Sequence, residues 1–96
     1  MEVNVQAIHF EVSQQLLDFI NKKAEKLTRR YTAVTTFDVN LKVVKPETSM
    51  NKEVVMKVLA PQEEYVATKT ADTFEEAVDL ALEAVERQLE KRKNAK

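Results

Sequence analysis

Lys22, Lys23, Lys26, Arg29 and Arg30 crowd into the stretch INKKAEKLTRRY, and Arg87, Lys91, Arg92 and Lys93 crowd again near the end of the chain. Clustered Lys and Arg do one kind of chemistry well: they displace the counterions of a polyphosphate and hold it by salt-dependent attraction. These residues form the candidate binding site, and RNA phosphate is the polyanion they suit best. They stand out because the chain as a whole is not basic. Its 15 Lys and Arg are set against 16 Asp and Glu, for a formal net charge of −1.

Other chemistries are poorly served. Cysteine is absent, which excludes disulfides, thiolate zinc sites and cysteine nucleophiles, and fits a reducing compartment. Glycine is absent too, so the phosphate-cradling loops, nucleophile elbows and dinucleotide fingerprints that need close backbone approach have no residue to build them. His9 is the single histidine and has no nucleophile near it in sequence, so a surface position at a strand end is its plain role. Glu63 and Glu64 sit side by side in what reads as a turn, where hydration is the ordinary state of a carboxylate and metal binding a remote one. Phe19 falls beside the basic stripe and could stack on a base, but filling the edge of the core is the plainer role. Met50 reads as a loop residue. No catalytic residue, metal ligand or cofactor is expected.

The elements that must position the bases follow from periodicity. Val3, Val5 and Ala7 alternate with Glu2, Asn4 and Gln6, the period-two pattern of a half-buried strand. Ser13 then precedes Leu16, Leu17, Ile20, Ala24, Leu27 and Tyr31 at spacings of three and four, which predicts an N-capped amphipathic helix ending near Tyr31. FDVNLKVV alternates again and EVVMKVLA is rich in β-branched residues, so both read as strands, joined by a long polar hairpin loop from Lys45 to Lys52. Pro61 with Gln62, Glu63 and Glu64 marks the next turn, and YVATKT a fourth strand whose facing the pattern leaves open. Thr73 and Glu76 make a capping box ahead of Phe74, Ala77, Val78, Ala81, Leu82, Val85 and Leu89, a helical stripe that runs almost to the C-terminus.

With 96 residues the chain is expected to be one domain, 1–96, with one modest core. The order strand, helix, three strands, helix predicts an α+β, β-α-β-β-β-α two-layer sandwich. Its four-stranded mixed sheet would carry both helices on one face and leave Asp38, Asn40 and Lys42 on a wet face. Following the strand directions through, the two helices run parallel, so their basic C-terminal ends meet at one end of the molecule. Acids early and bases late are what any helix dipole favours, at about 0.3–1 kcal/mol per charge, and this accounts for part of the pattern. It does not account for five bases on the first helix, whose repulsion at converging tips calls for something anionic.

VSQQLLDFINKKAEKL, VNLKVVK and DTFEEAVDLALEAVERQLEKRK, taken together, resemble the ribosome hibernation-promoting factor family, also known as ribosome-associated inhibitor A, YfiA-like or sigma-54 modulation proteins. The resemblance spans essentially the whole chain. It implies a fold like that of double-stranded RNA-binding domains. It also implies a partner, the small ribosomal subunit with its 16S rRNA and neighbouring ribosomal proteins, and a place in the channel that holds messenger and transfer RNA. Translation would be inhibited there by steric occlusion during stationary phase or stress, without catalysis. The family's basic positions fall on Lys22, Lys23, Lys26, Arg29 and Arg30, and on Arg87, Lys91 and Lys93 with Arg92 close by. A short-form, cytoplasmic member that is monomeric off the ribosome is what the likeness implies. No signal peptide pattern opens the chain and no apolar run reaches membrane-spanning length. The rival expectation is a protein-interaction module, such as a modulator of a transcription factor, that docks through the acidic half of the second helix or the wet sheet face.

Overall fold

The structure, a computed structural model, describes residues 1–44 and 50–94, with side chains of the final helix through position 92. The element order is β1 (Glu2–Ala7), α1 (Gln14–Arg30), β2 (Thr36–Val43), β3 (Lys52–Ala60), β4 (Glu63–Ala71) and α2 (Phe74–Asn94), the expected β-α-β-β-β-α succession. The four strands form one sheet in the order β1-β2-β3-β4. β1 runs parallel to β2, pairing Val3 with Phe37, Val5 with Val39 and Ala7 with Leu41, and the remaining pairs are antiparallel.

Alternation decides which sheet face is covered. Phe37, Val39 and Leu41 of β2 and Val54, Met56 and Val58 of β3 are buried beneath the helices, while Asn40 and Lys42 on the opposite face are exposed. The facing of β4, open in the sequence, is fixed by Tyr65, Ala67 and Ala71 pointing inward. Ala67 and Ala71 lie under α2, whose own Ala77 and Ala81 are fully buried, so helix and strand backbones approach closely. Small facing small is a packing device that an alternation of Ala, Thr and Lys hides.

Both predicted helix caps are present. Ser13 is extended and its Oγ accepts from the Leu16 N–H at 3.1 Å, and Thr73 Oγ1 accepts from Glu76 N–H at 3.1 Å. The turn after β3 is tighter than expected. Ala60 pairs with Glu63 and Leu59 with Glu64, so both glutamates belong to β4 and only Pro61 and Gln62 make the turn. Pro61 fixes φ near −65° by its ring, and Gln62 takes φ of 64°, the positive φ that a type II turn asks of its third residue, where glycine would normally serve. The predicted loop from Lys45 to Lys52 lies largely outside the described residues; at its far edge the Met50 N–H donates to Asp72 Oδ1 at 2.6 Å.

Helices α1 and α2 pack side by side in parallel. Phe10, just ahead of α1, stacks on Phe74 at the start of α2 with centroids 5.2 Å apart. At the other end the Tyr31 hydroxyl, at the C-cap of α1, donates to Glu90 Oε2 at 2.6 Å. The two helices are thus joined at both ends, and their C-termini coincide. Phe37, under this layer, is the largest fully buried side chain among the described residues. Phe37→Ala should lower unfolding stability by about 3–5 kcal/mol in a denaturant titration, through reduced transfer energy and a residual cavity. A change under about 1 kcal/mol would mean the core is not centred there.

Candidate nucleic-acid interface

The five bases of α1 divide into two stripes with different fates. Lys23 and Arg30, seven residues apart, face α2. Lys23 Nζ lies 2.9 Å from Asp79 Oδ1, and the Arg30 terminal nitrogens lie 3.6 Å from Glu86 and 3.8 Å from Glu90. The sequence-based expectation that the α1 bases repel one another until an external anion arrives is therefore corrected for this stripe, because α2 supplies the anions. Lys23 also sits 5.1 Å over the ring of Phe19, which packs against the core. Lys22, Lys26 and Arg29 form the other stripe. All are exposed and none has an ion pair among the described residues, Glu25 notwithstanding.

On α2, Arg87 is exposed and loosely tied to Glu83 one turn back at 3.7 Å, Lys91 is exposed without an ion pair among the described residues, and Arg92 is held by Glu63. The side chain of Lys93 lies outside the described residues. The helix tips do converge: Arg30, Tyr31 and Arg92 line one cavity there, and Lys26 shares a neighbouring groove with Lys23, Arg30 and Glu86. The basic ends of α1 and α2 thus form one end of the molecule.

Two networks of the same composition flank that cavity. In one, Tyr31 donates to Glu90, which also faces Arg30. In the other, the Tyr65 hydroxyl donates to Glu63 Oε2 while Arg92 Nε donates to Glu63 Oε1 at 2.7 Å. Glu63 is therefore not a hydrated turn residue but the acceptor that fixes Arg92. Its carboxyl is held below the usual range, first by the Tyr65 hydrogen bond and then by Arg92. Burial, and next the hydrogen bond to Glu90, raises the Tyr31 phenol, and burial followed by the bond to Glu63 raises Tyr65. Among the described residues no group of acids and histidines could hold a metal ion, and no helix is long and apolar enough to cross a membrane. His9 is exposed in the bend after β1 with φ of 67°.

A family model described as "Sigma 54 modulation protein / S30EA ribosomal protein" matches residues 3–96. The chain belongs to this family. Two relatives from Pseudomonas putida, each called "Ribosome hibernation promoting factor", are 29% identical over 93 residues, covering 97% of this chain and 87% of theirs. The fold recurs in a ribosomal subunit interface protein from Coxiella burnetii, with a TM-score of 0.85 at 20% identity over 97% of this chain and 98% of that one. It recurs again in the N-terminal domain of Thermus thermophilus Protein Y, with a TM-score of 0.79 at 17% identity over 95% and 98%.

Within this family member, sequence reasoning found the bases and missed the groups that hold them. The signal was present: Asp79, Glu86 and Glu90 recur on α2 at the spacing of Lys23 and Arg30 on α1, so two complementary stripes were readable once the helices were known to be parallel. The partnership of Glu63 on β4 with Arg92 on α2 carried no such signal. The two tyrosines, the only ones in the chain, report on both networks. A folded value raised above 10.0 means that neutral phenol supports the fold, fully below pH 10 and decreasingly as pH rises through the folded value. Both should ionise above 10.0 in a tyrosinate absorbance titration, and Glu63→Gln should bring Tyr65 back down. Either phenol ionising at or below the ordinary value would contradict its network.

Proposed function

We propose that this protein binds the small ribosomal subunit through the exposed stripe of Lys22, Lys26 and Arg29 together with Arg87, Lys91, Arg92 and Lys93, and silences translation by occupying the channel of messenger and transfer RNA. The observation that carries the proposal is the exposed basic stripe, without an ion pair among the described residues, beside two converged helix tips on a chain of slightly negative net charge. Family membership and the names of the Pseudomonas putida and Coxiella burnetii proteins support it. The partner groups are the phosphates of 16S rRNA and adjoining ribosomal proteins, reached by a monomer in the cytoplasm.

The nine bases are not equivalent in this role. Lys23 and Arg30 hold the two helices in register; Lys23 reaches RNA only by exchanging its carboxylate for a phosphate and Arg30 by sharing its terminal nitrogens, whereas Lys22, Lys26 and Arg29 have no ion pair to break among the described residues. The mechanism is exclusion: a rigid wedge with a cationic end sits where translation ligands would sit, and no bond is made or broken. The rival protein-docking role through acidic α2 is less well supported because Asp79, Glu86 and Glu90 are turned to α1.

Co-sedimentation with purified small subunits over a salt series tests this. The parent should bind at low salt and release as salt rises. Reversing Lys22, Lys26 and Arg29 to Glu should weaken binding by roughly tenfold or more and reduce the salt slope by about one for each phosphate no longer held, with the fold unchanged by circular dichroism. Parent-like binding by the reversed variant, or no binding by the parent at low salt, would refute the assignment.

A further inference from the structure

Between the two helix tips and the turn joining β3 to β4 lies a cavity of about 450 Å³, within the ordinary size of a small-ligand site. Its wall is apolar, from Val34, Ala60 and Leu89, and its rim carries Arg30 and Arg92. The arginines are held in a particular way. Arg92 is bonded to Glu63 through Nε, which leaves both terminal nitrogens without a partner among the described residues. Arg30 lies over the Tyr31 ring at 5.6 Å, and its terminal nitrogens stand 3.6 and 3.8 Å from carboxylates, longer than hydrogen bonds. Each side chain is thus oriented by a carboxylate yet keeps donors for something else.

A bare phosphate would satisfy the donors and leave the apolar wall wet, and an apolar ligand would leave two guanidinium groups facing it. A flat ring carrying a phosphate satisfies both. We propose that this cavity receives one nucleotide unit, its base against the apolar wall and its phosphate on the terminal nitrogens of Arg92 and Arg30. Glu63, which lines the same cavity, is an acceptor for the exocyclic amino group of a base. The unit comes either from a single-stranded RNA residue turned out of its stack or from a free mononucleotide. The inference deepens the ribosome-binding proposal and rests on it for the nearness of RNA, but it assigns a separate element of the surface.

The probes are adenosine and guanosine monophosphate, a short single-stranded oligoribonucleotide and inorganic phosphate, each titrated into the isotope-labelled full chain while amide resonances are followed. Val34, Ala60 and Leu89 should shift with the oligoribonucleotide, and with the monophosphates if the source is free nucleotide, at concentrations where inorganic phosphate moves none of them. Arg92→Gln should weaken this about tenfold. Ala33→Trp, at an exposed turn position on the cavity mouth, should abolish it while leaving small-subunit co-sedimentation measurable. Absence of these shifts with every nucleotide probe, equal shifts with inorganic phosphate, or unchanged binding by Ala33→Trp would overturn the pocket, whether or not the protein binds ribosomes. Pocket shifts in a protein that fails to bind small subunits would instead uphold the pocket and refute the ribosomal proposal alone.

Discussion

The seam between α1 and α2 is the constraint from which the functional surface follows. Two parallel helices whose dipoles point the same way repel modestly, and each carries bases toward its C-terminus. What keeps them adjacent is the burial of Ile20, Ala24 and Leu27 on one side and Val78, Leu82 and Val85 on the other, with complementary charges along the rim of that contact. The ion pairs are exposed, so each contributes at most about 1 kcal/mol, and apolar burial does most of the stabilising. Their larger contribution is register: Lys23 opposite Asp79 and Arg30 opposite Glu86 and Glu90 permit one alignment of the tips.

That alignment is completed from the sheet. The β3–β4 turn brings Glu63 up to the end of α2, where it accepts from Arg92, and Tyr65 on the same strand donates to it. Had the turn been longer, as its polar composition suggests, Glu63 would stand in solvent and Arg92 would have no fixed direction. A chain without glycine makes this tight turn with Gln62 in the left-handed region, at a cost of roughly 1–2 kcal/mol relative to an unstrained residue. The strain persists because the paired strands on either side determine the turn.

Much of the fold was legible because its elements obey simple periods. The alternation in β1 and β2, the threefold and fourfold spacing in both helices, and the caps at Ser13 and Thr73 each report a local rule. The facing of β4 was not legible, since Ala67 and Ala71 face inward beneath the alanines of α2 and a residue that small signals burial weakly. In the site, the bases announced themselves by clustering, and the direction of the helices placed them at one end. The partners of those bases stayed hidden because pairs such as Arg92 with Glu63 and Tyr31 with Glu90 join residues far apart in sequence, with no periodic pattern to expose them.

The two kinds of base on α1 explain how a chain with net charge −1 carries a cationic docking end. Net charge counts acids without regard to where they point. Asp79, Glu86 and Glu90 face α1, and Glu63 faces the end of α2, so these acids are matched to bases within the molecule. Lys22, Lys26 and Arg29 have no such counterpart among the described residues and present their full charge to solvent. A polyanion approaching this end therefore meets uncompensated cations first, and only then the arginines whose carboxylate partners it must displace or share. Such an arrangement favours a ligand with several phosphates over a single anion, because the exposed lysines and Arg29 hold one phosphate close while the terminal nitrogens of Arg30 and Arg92 engage another.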